Sequence, residues 1–593
     1  MYKIWRWPYS RFSGYLLPEP DADLKDETVT AEKIYTDCVL QQIAAGGFNA
    51  IWIHGILRHI VSVEPFPELG KNARYHQEAL LRLIKRAAGH GVKVFIHIQP
   101  PRAVPISFTE FWKRHPDVGG QEEIHEISTD NWATARQIPV RCLCTSTDTV
   151  KQWLVNASAE LARKLPGLAG VIVITASEFQ SHCYAHRRKE NPTRWAPLIE
   201  CPRCRLREPE EVAAEIITLL CQGAHHVSPD FEVIAWNWSW AWRPDSYTEV
   251  IKYLPQEAIL LADFERGGIK DIPGRKGHLY DEYSLAYSGP SQRFLSSYQL
   301  AQKRGLRVMA KLQLGTTHEL ASVVSLPVLG NLFDKAAFLK IHRLAGFMGC
   351  WNFGNQLSAN TAGFNYFLSP ECPDDRSAAL ENFANIYFPG CNPVLMRLAW
   401  ETFGRSMEYF PFSIAFLYHG AHSHTLAYKE MYVPGPLTGK IAGRSWMPDE
   451  RGDELANSYL LDHTEFSCSD LVERIGKVAA VWEIGVALME KALAGVTTRT
   501  KDEELGNAII CGAIWRSTEN TYKIYQLRQN WNESKREQFL QIARDELEIL
   551  RRVLPWVERD NRQGFHAEPQ FYMFNPEKIR AKINVIETLL KKP

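Results

Sequence analysis

The chain has 593 residues, and its 68 basic and 68 acidic side chains balance to zero formal charge. That length exceeds what one hydrophobic core organises, so a large domain with at least one further domain is expected. A neutral balance without a long basic block argues against nucleic acid or an anionic membrane as a partner.

Taken in chain order, eight short apolar runs read as strands: residues 12–18, 50–55, 93–100, 170–178, 231–240, 258–265, 307–315 and 346–352. Most are rich in Val, Ile and Leu without a polar alternation, the pattern of parallel strands covered on both faces. Helix-like stretches at 31–45, 75–90, 149–164, 209–226, 291–303 and 331–344 separate most of them. Gly91 and Gly305 fall between a helix and the next strand, where a left-handed residue ends a helix. Alternating strands and helices predict a parallel α/β fold, and eight strands favour a closed (β/α)8 (TIM) barrel over residues 1–370. Beyond it the periodicity turns helical at 376–387, 393–403, 471–494, 502–529, 533–554 and 576–592, predicting a mainly α-helical C-terminal domain over 371–593.

A barrel of this kind gathers the C-terminal ends of its strands around one mouth. The fourth run, Gly170-Val-Ile-Val-Ile-Thr-Ala-Ser-Glu178, ends there on a carboxylate after apolar residues, a setting that keeps an acid protonated near neutral pH. The fifth run continues into Trp236, Trp238, Trp240 and Trp242 at every second place, which puts them on one face as a sugar platform or a Trp-rich core edge. The sixth ends with Asp263 and Glu265, either of which supplies a second carboxylate, an ion pair with Arg266 being the alternative. Glu319 follows the seventh, Trp351 and Asn352 end the eighth, and His54 and His97 end the second and third. Tyr418 and His419 lie in a C-terminal loop rich in groups that bind hydroxyls. Ser177, beside Glu178, joins the candidate substrate contacts.

The Thr175-Ala-Ser-Glu178 turn, with Trp-rich and Asp-containing later strand ends, resembles the retaining β-N-acetylhexosaminidases of glycoside hydrolase family 20 and their outlying relatives. The resemblance spans roughly residues 45–355 and implies that Glu178 is the acid/base. In that family an Asp precedes the acid and orients the substrate's 2-acetamido group; Ser177 stands there instead, so Asp263 takes that role or the mechanism differs. A second resemblance, to barrel glycosidases with acid and nucleophile on strands four and seven, would pair Glu178 with Glu319.

After Glu178 the pattern Cys183-x2-His186-x14-Cys201-x2-Cys204, in an insertion at 179–208, has the pair spacing of a structural Cys3His zinc site. Unmetallated thiols or a disulfide are the alternative. Cys142 and Cys144 have the wrong separation for such a knuckle and read as buried thiols. No metal is expected for catalysis.

The reading is a glycosidase acting on a β-linked hexose, N-acetylated in one version, by carboxylate acid/base chemistry. Its rivals are a non-catalytic carbohydrate-binding protein on a degenerate hydrolase barrel and a metal-dependent sugar-processing barrel enzyme using His54, His97, Asp263 and Glu178. The opening residues lack the apolar stretch of a signal peptide and no run spans a bilayer, so a cytoplasmic location is expected. Carbohydrate is the expected partner, and the oligomeric state, monomer or homo-oligomer, stays open.

Overall fold

A computed structural model of the chain describes residues 1–10, 21–127, 136–176, 179–194, 196–439, 443–444, 447–448, 457–460 and 465–591. Eight parallel strands close into a barrel: β1 (Tyr2–Trp5), β2 (Ala50–His54), β3 (Lys93–Ile98), β4 (Gly170–Val173), β5 (Glu232–Trp236), β6 (Ile259–Asp263), β7 (Arg307–Lys311) and β8 (Gly346–Met348). Their order around the barrel follows the chain, and β1 closes the ring by pairing with β8 through Tyr2↔Gly346 and with β2 through Ile4↔Ala50. Both faces of such strands are covered, so every residue of β2 and β6 is buried.

β2 through β8 start within one residue of the predicted runs. The first strand differs. The predicted run 12–18 lies outside the described residues, and the closing strand is the four-residue Tyr2–Trp5, whose Lys3 breaks any apolar run. Several strands also stop early: β4 ends at Val173 and β5 at Trp236, because the polar and aromatic residues that follow peel away into loops.

The intervening helices pack apolar stripes. In Ala73–Gly89 the residues Leu80, Leu83, Ile84 and Ala87 repeat at spacings of three and four and are all buried. Gly91 and Gly305 hold φ of 69° and 73° between helix and strand, the left-handed conformation expected of them. The predicted helix 31–45 is two, Glu27–Ile34 and Asp37–Ala45, the second started by Thr36, whose hydroxyl accepts from Val39 N. Ser246–Tyr253, between β5 and β6, is a further helix that its short length hid. Between β3 and β4 the chain inserts a three-stranded antiparallel sheet of Val104–Pro105, Gly119–Ile127 and Arg136–Leu143.

The chain divides into two compact units. One comprises Met1–Phe264, Arg293–Leu312 and Leu344–Gly349, and holds all eight strands; the other comprises Glu265–Gln292, Gln313–Arg343 and Cys350–Pro593. The second unit is dominated by helices, among them Arg376–Tyr387, Pro393–Ser406, Cys468–Ala492, Arg499–Gln529, Arg536–Arg559 and Pro576–Leu590. Arg499–Gln529 is buried along most of its length. A fully buried carboxylate, Glu546, accepts there from Ser517 Oγ at 2.6 Å, Asn520 Nδ2 at 2.9 Å and Lys582 Nζ at 2.6 Å, which satisfies the charge that burial would otherwise penalise. No helix among the described residues is long and apolar enough to cross a membrane.

Candidate active site

Register fixes which strand-end side chains meet. Partners in parallel strands point to the same side, and alternate residues along a strand share a face. His54 pairs with His97, His97 with Ile172, Ile172 with Ile234, Trp236 with Leu261, and Asp263 with Lys311. Through these links His54, His97, Trp236, Asp263 and Lys311 lie on one face. The rings of His97 on β3 and Trp236 on β5 lie 6.3 Å apart across the intervening β4, which only the concave side allows. The five therefore line the barrel interior at its C-terminal end, all of them buried.

Within this cluster Trp236 Nε1 donates to Asp263 Oδ1 at 2.8 Å, and the backbone N–H of Asp263 donates to Asn237 Oδ1 at 3.1 Å. Asp263 is thus a buried carboxylate aimed by an indole. The Lys311 ammonium lies 6.0 Å from the Trp236 ring centre and donates to the Leu312 carbonyl. His54 and His97 face each other at 5.6 Å. Burial, reinforced by the Arg6 and Arg102 cations, holds His97 down at about 3, and burial with His97 nearby lowers His54 well below its ordinary value. Both rings are therefore neutral near pH 7, each carrying one donor and one acceptor nitrogen.

Beneath them sits a pair that the sequence reading passed over. Arg6 and Glu27 form a fully buried ion pair at 2.8 Å, Arg6 stacks over Trp52 at 4.2 Å, and Glu27 Oε2 accepts from the His54 backbone N–H at 2.8 Å. No local motif marks either residue; Glu27 steadies the end of β2 through the His54 backbone, and the Arg6 cation also lowers His97.

Ser177 and Glu178 lie outside the described residues, but the chain on either side of them is firmly held. Thr175 Oγ1 accepts from Trp240 Nε1 at 2.9 Å. Its carbonyl meets His182 Nε2 in a short contact; since His182 Nδ1 accepts from Tyr184 N, Nε2 carries the proton and donates. On the other side the Arg102 guanidinium stacks on Phe179 at 3.6 Å, and Phe179 also meets the His54 ring at 6.3 Å.

The Trp series divides by role, because the period of two lapses where β5 ends. Trp240 and Trp242 are buried and spend their indole N–H groups on Thr175 and on the Tyr184 carbonyl, so both brace loops. Trp238 is the half-exposed member of the series, 6.5 Å from Trp236.

The remaining expected residues belong to the second unit. Glu265 Oε1 accepts from Lys335 Nζ at 2.5 Å, and that ammonium also donates to the Ser284 carbonyl at 2.8 Å. Both members of this pair are fully buried, and Lys335 is a partner that the sequence did not offer. Glu319 accepts from Leu285 N at 2.9 Å, Thr317 Oγ1 at 3.0 Å, Ala286 N at 3.4 Å and Ser284 Oγ. Such a set anchors a loop, although burial pushes the carboxyl upward. Tyr418 donates to Glu282 at 3.4 Å and packs on His318 at 4.9 Å, and His318 also meets Phe353 at 4.2 Å. Trp351 and Asn352 are buried and His419 is half-buried. His318, His566 and Glu568 form a compact group beside Tyr418 that the sequence reading did not single out, since its members come from distant segments.

Of the four expected zinc ligands the structure brings three together. The sulfurs of Cys183, Cys201 and Cys204 gather with that of Cys144, all within 4.8 Å of one another. His186 stands outside this group, its Nδ1 3.3 Å from Gln180 Nε2. Spacing along the chain detects only neighbouring ligands, whereas Cys144 arrives from the end of the inserted sheet. Among the described residues His54, His97 and Asp263 form no metal-holding group.

No protein-family model matches the chain, and no curated protein matches it by sequence. Solved structures do. A glycoside hydrolase family 138 enzyme described as targeting pectin rhamnogalacturonan II is similar over 100% of this chain and 68% of its own, at TM-score 0.53 and 10% identity. A family 89 glycoside hydrolase from Clostridium perfringens, solved with PUGNAc, is similar over 100% of this chain and 63% of its own, at TM-score 0.49 and 10% identity. A GH5-4 endoglucanase from Ruminococcus champanellensis covers 62% of this chain and 95% of its own, at TM-score 0.36 and 10% identity. At such identities the likeness is one of fold. Nothing in these matches singles out family 20.

Proposed function

We propose that the chain is a glycoside hydrolase working at the C-terminal mouth of its barrel by carboxylate acid/base catalysis, with Glu178 as acid/base. The observation that carries this reading is the convergence of His54, His97, Trp236, Asp263 and Lys311 on the inner face of the strand ends. Burying so many polar groups costs stability unless they are satisfied or used. That the similar family 138 structure is a glycoside hydrolase supports the same class of chemistry.

Cleaving a glycosidic bond requires proton delivery to the leaving oxygen and stabilisation of an oxocarbenium-like centre. Glu178 supplies the proton and later takes one back. Asp263, aimed by Trp236, orients or activates the nucleophile, either a substrate acetamide or a water. Neutral His54 and His97 hold hydroxyls, and Trp238 stacks on the apolar face of the ring. The finer reading is a β-linked hexose, with an N-acetyl group if Asp263 replaces the charge that Ser177 cannot supply. Glu265 and Glu319 become structural, because Lys335 holds Glu265 Oε1 and the 284–286 loop holds both oxygens of Glu319.

The test is a panel of nitrophenyl glycosides that includes both anomers of N-acetylhexosaminides, with proton NMR of the first-formed product. Glu178→Gln should lower turnover by roughly 10²–10⁴-fold, the usual contribution of a general acid/base, with folding intact. Near wild-type hydrolysis by that variant refutes the assignment.

A further inference from the structure

We infer that Cys144, Cys183, Cys201 and Cys204 bind one zinc ion as a closed tetrathiolate that locks the inserted sheet to the loop after β4. This stands independently of the proposed hydrolase activity. The four sulfurs are buried, unbridged and mutually within 4.8 Å, with Cys144 Sγ 3.7 Å from Cys201 Sγ and 3.5 Å from Cys204 Sγ. Zinc–sulfur bonds of about 2.3 Å in a tetrahedron require sulfur–sulfur edges of about 3.8 Å, so these separations need only slight adjustment.

The surroundings fit thiolates better than thiols. The backbone N–H of Gln121 donates to Cys183 Sγ at 3.4 Å, and Arg203 Nε donates to Cys144 Sγ at 3.3 Å. The Ser146 hydroxyl lies 3.3 Å from Cys204 Sγ. Such outer contacts orient ligands and offset the charge of a dianionic tetrathiolate centre. Gly120 leaves room for them: a Cβ there would come within 2.3 Å of Cys183 Sγ and 3.1 Å of Cys144 Cβ. Loading displaces up to four thiol protons to solvent, with no change of oxidation state. Four protein ligands leave no open position for water, so the ion is structural.

The site joins three pieces of chain: the end of Arg136–Leu143 through Cys144, the loop holding His182 and Phe179 through Cys183, and the approach to helix Pro209–Val227 through Cys201 and Cys204. Its effect on catalysis would be indirect, through the loop that continues from Glu178.

The full chain, purified under reducing conditions without chelator, should carry close to one zinc per chain by elemental analysis. X-ray absorption at the zinc edge should show four sulfurs at about 2.3 Å and no nitrogen shell. Cys144→Ser should lower zinc content at least tenfold, while His186→Ala and Cys142→Ser retain it. Because Cys144→Ser risks misfolding, the wild-type absorption spectrum decides independently. A shell of three sulfurs and one nitrogen, iron in place of zinc, a disulfide among these cysteines in the reduced protein, or failure to take up added zinc each overturns the inference.

Discussion

The buried Glu265–Lys335 pair offers a sharp test of which carboxylates are structural. At 2.5 Å and an effective dielectric near 20, the attraction is about 7 kcal/mol, against a desolvation cost of several kcal/mol for each ion. Removing one partner leaves the other charge buried alone, so Glu265→Leu or Lys335→Met should each cost about 3–5 kcal/mol. Removing both should cost far less than the sum. The double variant loses the attraction and both desolvation penalties together, leaving mainly the Ser284 carbonyl without its donor, about 1–3 kcal/mol. Urea unfolding followed by near-ultraviolet circular dichroism, with slopes checked for constancy, measures the cycle. Should the double variant cost as much as the two singles added, the pair is not the coupled unit described. Should Glu265→Gln leave stability unchanged yet abolish hydrolysis, Glu265 returns to the chemistry.

Other consequences are equally direct. Trp236→Phe deletes the 2.8 Å bond to Asp263, a hydrogen bond to a charged group that contributes about 1.5–3 kcal/mol; kcat/KM should fall roughly ten- to hundredfold, and an unchanged value removes Asp263 from the mechanism. His97, held at about 3 by burial, stays neutral in the fold while the unfolded chain takes up a proton near pH 6.5. Its contribution to stability is present above that value and is lost as pH falls toward 3, at about 1.4 kcal/mol per pH unit. His97→Gln should flatten the stability profile by that slope between pH 6 and about 4, and denaturation midpoints across that range check it.

Much of the barrel is written locally. Runs such as Ala50-Ile-Trp-Ile-His54 announce buried parallel strands, and Gly91 and Gly305 announce the turns into β3 and β7. The first strand escaped because four residues flanked by charge carry no period; its identity comes from pairing with β2 and β8. The site shows the same divide. Strand-end polar residues could be named from the sequence because the fold collects them. Roles set by partners could not, since Lys335, Ser284 and Leu285 lie far along the chain from the carboxylates they engage. Local spacing likewise proposed His186, whereas the fold supplied Cys144.

The interleaving of the two units bears on how this protein can be taken apart. Ser325, which follows β7, exchanges hydrogen bonds with Asn507, and Ala359 N donates to Glu504 in the same long helix. A fragment starting near residue 371 would carry Asn507 and Glu504 but forfeit those anchors. Neither gene truncation nor domain shuffling at one cut should therefore release two self-sufficient pieces.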